Sequence, residues 1–165
     1  MTVWRDLRVE WMRLFRSKGT WLALLAASAA PLVGYGLYQP AGGGTTAALV
    51  LLNPMLTGAL GGALAFAVLT LSEMNRVKKG RMGPLTDSVV SPLRMTVVRT
   101  AVLMLTAVVS SLVTSLLYLP YTWYRLGETF QGKEYVQVVL LFLLPFLEMT
   151  VLAAAAFYQI FQRVD

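Results

Sequence analysis

Neither cysteine nor histidine occurs in the 165 residues. Their absence removes disulfides, thiolate chemistry, imidazole bases and the usual zinc sites. Charge is scarce as well. Only 13% of the residues are charged while 57% are hydrophobic, more apolar surface than one small soluble domain can hide. No Asp, Glu, Lys or Arg stands from Gly19 to Ser72 or from Thr100 to Tyr124, and Glu148 alone interrupts Tyr135 to Gln162. A bilayer-crossing helix takes about 20 mostly apolar residues, so the first run holds two spans and each of the others one. The expected fold class is all-α, a polytopic membrane protein with about four transmembrane helices in a single transmembrane domain over residues 1–165.

Turn residues set the boundaries. The stretch Gln39-Pro40-Ala41-Gly42-Gly43-Gly44 cannot be the middle of a helix and divides the first run, which puts span one at 21–38. Asn53-Pro54 reads as a helix start, Asn capping free N–H groups and Pro filling the first helical position without one to spare. Span two is therefore expected at 53–71, with Thr45 to Leu52 an external or re-entrant piece. Spans three and four follow at 100–121 and 136–157, with a cytoplasmic loop at 72–99 between spans two and three. Pro31 and Pro145 predict kinks in spans one and four.

The basic residues orient this array. Arg5, Arg8, Arg13, Arg16 and Lys18 precede span one. Arg76, Lys78, Lys79, Arg81, Arg94 and Arg99 separate spans two and three, and Arg163 follows span four. The other side has only Arg125 and Lys133, beside Glu128 and Glu134. Twelve cations against two predict both termini in the cytoplasm and a multi-pass protein of a cell membrane, the bacterial plasma membrane being the expected one. The small-residue Ala-Ser-Ala site near residue 28 resembles a signal cleavage site, but the long lead-in, Asp6 and Glu10, and apolar residues continuing to Tyr38 predict an uncleaved first span. The net charge of +6 is accounted for by inner-leaflet lipid and topology, and implies no nucleic acid.

Residues 1–20 predict an amphipathic interfacial helix. At 100° per residue Val3, Trp4, Leu7, Trp11, Leu14 and Phe15 fall on one arc, and Arg5, Asp6, Arg8, Glu10, Arg13 and Arg16 on the other. Such a helix lies along the inner leaflet with its tryptophans at headgroup depth and its arginines toward lipid phosphates. It can serve as a topology anchor, or carry motion into span one.

The stretch RMGPLTDSVVSPLRMTVVR, residues 81–99, is stiff, basic and rich in turns. Gly83-Pro84 can start a helix and Ser91-Pro92 must end it. Between them Leu85, Val89 and Val90 give a short apolar edge beside Thr86, Asp87 and Ser88. Ser91 then caps, and Pro92 opens, the helix that becomes span three. Such an element is either a basic connector or a rigid knob shown to a cytosolic partner, and a helix bounded by prolines transmits a push that a flexible loop absorbs.

On these residues the chain resembles the type-2 export permeases of ATP-binding cassette transporters. In that family span two leads to an acidic residue, basic residues, a Gly-Thr-Leu-Glu-like step, two hydrophobic residues, and a Ser-Pro or Thr-Pro followed by a basic residue that opens span three. Here Glu73 ends span two, and Arg76 and Arg81 supply the charge. Gly83-Pro84-Leu85-Thr86 occupies the Gly-Thr-Leu-Glu place, and Ser91-Pro92 comes before Arg94. Pro84 replaces the usual Thr, Asp87 comes one place late for the acid, and Ser88 replaces a hydrophobic residue. The family generally has six spans, so the chain is either the N-terminal part of a longer permease or a compact member that joins other subunits.

The resemblance implies a membrane-spanning exporter subunit that is not itself an enzyme and needs no cofactor. Its implied partners are a cytosolic ATP-binding ATPase subunit, a second permease chain or half, and membrane lipids. Pro84, Leu85, Thr86, Asp87, Val89, Val90 and Pro92 would form the coupling element, with Glu73 and Arg76 at the cytoplasmic end of span two. No G-x-x-x-x-G-K-[ST] occurs, which agrees with nucleotide being handled by another polypeptide.

Two features lie inside the membrane. Gly58-x-x-x-Gly62 with Ala59 and Ala63, and the run Ala153 to Ala156, predict close helix packing. Glu148 stands about a dozen residues into an apolar span, where a carboxyl is costly and by default faces a bundle interior or cavity. It is a candidate intramembrane polar site, and three accounts of it stay open: a coupling group, a neutral acid hydrogen-bonded to a neighbouring Ser or Thr, or a subunit contact. The first makes a small ion-coupled, multidrug-type carrier the alternative function. A membrane enzyme is disfavoured, because no acid–base or nucleophile set converges.

Overall fold

The computed structural model describes residues 3–37, 47–79 and 92–162. Helix α1 covers Val3–Phe15, α2 Lys18–Leu37, α3 Ala47–Lys79 and α4 Pro92–Leu126. A 3-10 turn at Gly127–Thr129 leads to α5 (Gly132–Val138), a π-helical turn at Val139–Leu143, and α6 (Leu144–Gln162). No strand occurs among the described residues. Four segments are long and apolar enough to cross a bilayer, Lys18–Gly36, Leu51–Arg76, Leu93–Leu126 and Gly132–Phe161. The protein is thus all-α with four potential spans, as its apolar runs predict.

Span two begins earlier than its sequence suggests. Helix α3 starts at Ala47 and carries Pro54 in its interior rather than at its first turn, so there is no separate re-entrant piece over 47–52. A proline inside a helix removes one N–H bond, a loss that membrane helices tolerate when neighbours and local adjustments satisfy the freed groups. One turn further on, Thr57 Oγ1 donates back to the Asn53 carbonyl at 2.8 Å, the usual i−4 bond of a helical threonine. Pro92 does open α4, as expected. Pro145 acts through the turn before it: lacking an N–H and crowding the Leu141 carbonyl, it is preceded by the widened π turn at Val139–Leu143. Gly127, at φ +53°, provides the left-handed residue at which the chain leaves α4.

Small residues bring the spans together. The most extensive contact is between α2 and α3. A Cβ added at Gly58 would lie 2.7 Å from Pro31 Cγ, one at Gly61 2.5 Å from Ala30 Cβ, and one at Gly62 2.9 Å from Leu147 Cδ2. The Gly58/Gly62 stripe therefore serves packing, against α2 on one side and α6 on the other. Ala154 and Ala155 are buried, whereas Ala153 and Ala156 are exposed. Two buried threonines bond within their own helices, Thr70 to the Phe66 carbonyl and Thr106 to the Val102 carbonyl. Outward-facing Leu22, Leu64, Leu116 and Leu141 give the bundle the apolar exterior that lipid requires.

Contacts between distant residues establish the alternation of the helices. Gln159 Nε2 donates to Thr96 Oγ1 at 3.4 Å, joining the end of α6 to the start of α4. At the opposite end Tyr35 stacks on Tyr118 with ring centroids 5.6 Å apart, and its hydroxyl lies 3.0 Å from Thr122 Oγ1. The Tyr135 hydroxyl donates to the Ser115 carbonyl at 2.6 Å. The starts of α2 and α4 and the ends of α3 and α6 thus share one end of the bundle, the end that carries α1.

Candidate functional site: a buried ion cluster

The C-terminus of α1 is fastened to α2 almost without slack. Its last carbonyls have no intrahelical partners; Thr20 Oγ1 donates to that of Leu14 at 2.7 Å and Trp21 Nε1 to that of Phe15 at 2.9 Å. Phe15 packs edge-on against Trp21, ring centroids 5.8 Å apart. This elbow directs α1 across the ends of α3 and α4.

Asp6, Glu10 and Arg13 occupy positions i, i+4 and i+7 and so share one edge of α1. That edge faces the bundle. Asp6 pairs with Arg94 at 2.6 Å, Glu10 with Arg99 at 3.6 Å, and Arg13 Nη1 reaches Glu73 at 3.1 Å while its Nε holds Glu10 at 2.8 Å. Glu73 also faces Arg76 at 3.7 Å and accepts from Ser17 Oγ at 3.3 Å. Arg99, Glu10, Arg13, Glu73 and Arg76 form a chain of alternating charge, and each carboxylate has two cations.

Both carboxylates of this chain are shielded from water. Glu10 is 6% and Glu73 3% exposed, and the space between their helices, closed by Leu14, Met74, Val102 and Leu103, amounts to about 10 Å³, at the lower limit for a single water. Burying a carboxylate is costly unless it is paired, which explains why the cations converge here. The consequence is mechanical: α1 is tied to the start of α4 at two points, to the end of α3 at a third, and to α2 through its elbow.

The structure places the sequence candidates unequally. Glu73 and Arg76 belong to the cluster. Pro92 stands at the start of α4, two residues before Arg94 of the Asp6–Arg94 pair. Pro84, Leu85, Thr86, Asp87, Val89 and Val90 lie outside the described residues. The amphipathic reading of α1 is modified: Arg5, Arg8 and Arg16 are exposed, but Arg13, expected toward lipid phosphates, turns inward with Asp6 and Glu10, and Leu14 is buried. Sequence reasoning did not single out Glu10, Arg13, Ser17 and Arg99 as a site. The available signal was the presence of Asp6, Glu10 and Glu73 on the side that carries twelve cations.

Glu148 is remote from this cluster. Both of its carboxyl oxygens are buried without a hydrogen-bond partner among the described residues, so the account in which a neighbouring Ser or Thr satisfies it is not the arrangement observed. Ser110 Oγ on α4, which packs against α6, is likewise buried and unpartnered among the described residues. No protein-family model, curated protein or solved structure matches this chain.

Proposed function

We propose that this chain is the membrane-spanning permease subunit of an ATP-binding cassette exporter of the type-2 kind. In this reading α1 and the loop between α3 and α4 lie in the cytoplasm, in keeping with the positive charge gathered at that end. A separate ATPase subunit binds the stretch 84–90, and a second permease chain or half completes the translocation path. The observation that carries the proposal is the ion cluster. A push delivered to the loop after Lys79 and before Pro92 enters α3 and α4 at the two helix ends that α1 ties together, so the three move as a unit instead of dissipating the displacement.

The test is association. An ATPase encoded beside this chain is expected to co-purify with it, and Leu85→Asp with Val89→Asp to reduce recovery by more than tenfold while the spans still insert, because two apolar contacts are each worth roughly 1.5 to 3 kcal/mol. Wild-type recovery of the ATPase with the double variant would leave 81–99 a basic connector.

Glu148 supports a second reading, a small ion-coupled carrier, since a buried carboxyl without a partner is what a proton-exchanging site presents. Glu148→Gln separates the two. Transport lost in proteoliposomes under a proton gradient favours the carrier, and transport retained with ATP as the driving force favours the exporter.

A further inference from the structure

On the flank of the bundle a groove of about 460 Å³ runs between α2 and α3, walled by Leu22, Ala26, Leu64 and Val68. At one end lies Gly61, which meets Ala30 so closely that no Cβ fits between them. At the other end are Gly19 and Ser72. From Gly61 to Ser72 the helix rises about 16 Å at 1.5 Å per residue, close to half of the roughly 30 Å hydrocarbon core of a bilayer. The trough therefore has the length of one leaflet, and its volume lies within the 300 to 1,000 Å³ typical of small-molecule sites, as an order of magnitude.

Its mouth is cationic on both walls. Lys18 adjoins Gly19 and is exposed, as is Arg16, and neither has an acidic partner among the described residues. Arg76 stands one turn beyond Ser72 with its side chain 63% exposed, and the carboxylate it faces at 3.7 Å is already held by Arg13 at 3.1 Å. We infer that this groove binds an anionic phospholipid of the leaflet next to α1, one acyl chain in the trough and the phosphate between Arg16, Lys18 and Arg76. A second copy of the chain fits less well as the occupant, because a symmetric contact would set the same three cations against themselves. The inference does not depend on the exporter reading.

Native mass spectrometry on the whole chain, taken from mixed phosphatidylglycerol and phosphatidylcholine vesicles, tests it. One retained phosphatidylglycerol per chain is expected, in preference to phosphatidylcholine. Arg16→Gln with Lys18→Gln is expected to lower that preference about 25-fold, at roughly fivefold per cation near a charged headgroup. Ala26→Phe, on the exposed wall, is expected to fill the trough and release the lipid, and Val68→Trp to do the same from the facing helix. Equal retention of the two lipids by the unmodified chain, undiminished lipid in both filled variants, or a dimer that disappears when the trough is filled would each overturn the assignment.

Discussion

Arg13, at the centre of the chain of alternating charge, is predicted to be the costliest member of the ion cluster to remove. Arg13→Met leaves two carboxylates, 6% and 3% exposed, each with only its longer ion pair, Arg99 at 3.6 Å for Glu10 and Arg76 at 3.7 Å for Glu73, which also keeps the Ser17 hydroxyl at 3.3 Å. Breaking a buried pair typically costs about 3 to 5 kcal/mol. The remaining cations, and the 32% exposure of the Arg13 side chain, reduce that to roughly 2 to 3 kcal/mol. Glu73→Gln leaves Arg13 bound to Glu10 at 2.8 Å and Arg76 facing water, a loss of about 1 kcal/mol. Arg76→Gln removes the longest and most exposed contact, for about 0.5 kcal/mol or less. Denaturant unfolding in a fixed detergent measures the series, and Trp4, Trp11 and Trp21, in α1 and at its elbow, supply the fluorescence. The effect of Arg13→Met should persist at high salt, since buried pairs are screened much less than exposed ones. Equal costs for Arg13→Met and Arg76→Gln, or disappearance of the Arg13 effect in 1 M salt, at a Debye length of about 3 Å, would refute the reasoning.

Two further expectations follow from packing and charge. Gly61→Ala places a methyl 2.5 Å from the Ala30 methyl and should destabilise the bundle by about 1 to 3 kcal/mol; adding Ala30→Gly should recover most of that loss, and an unrecovered loss in the same unfolding assay would show that these methyls are not the cause. Because the chain has no cysteine, single probes report sidedness: in intact cells Gln131→Cys, on an exposed site, should react with an impermeant thiol reagent. Arg8→Cys, also exposed, should react only after permeabilisation, and the reverse pattern would invert the orientation drawn from the basic residues.

The legibility of this protein divides along a physical line. A bilayer span is a property of a local window, so three runs of low charge, the first divided by its turn residues, sufficed to count the four potential spans, and Pro92 stands where α4 begins. The beginning of α3 was misread because Asn53-Pro54 has the local chemistry of a helix start, while the helix that continues back to Ala47 depends on neighbours that make an interior proline tolerable. The amphipathic pattern of α1 was equally local. It separates apolar from polar positions, but a polar edge facing water and one facing buried guanidinium groups are written with the same residues.

What the sequence alone determined is therefore the all-helical class, the number of spans, the asymmetry of charge between the two ends, and the absence of thiol and imidazole chemistry. Tertiary structure decided which charges are paired and which are bare. Arg13 and Glu73, sixty residues apart, meet only because α1 folds back across the bundle end at its elbow. Among the described residues Glu148 is without a hydrogen-bond partner, and the α2–α3 groove stays open beside Lys18, for the same reason: which side chains meet is set by helix packing, and in a chain this apolar many packings satisfy the hydrophobic pattern while few bring a cation to every buried acid.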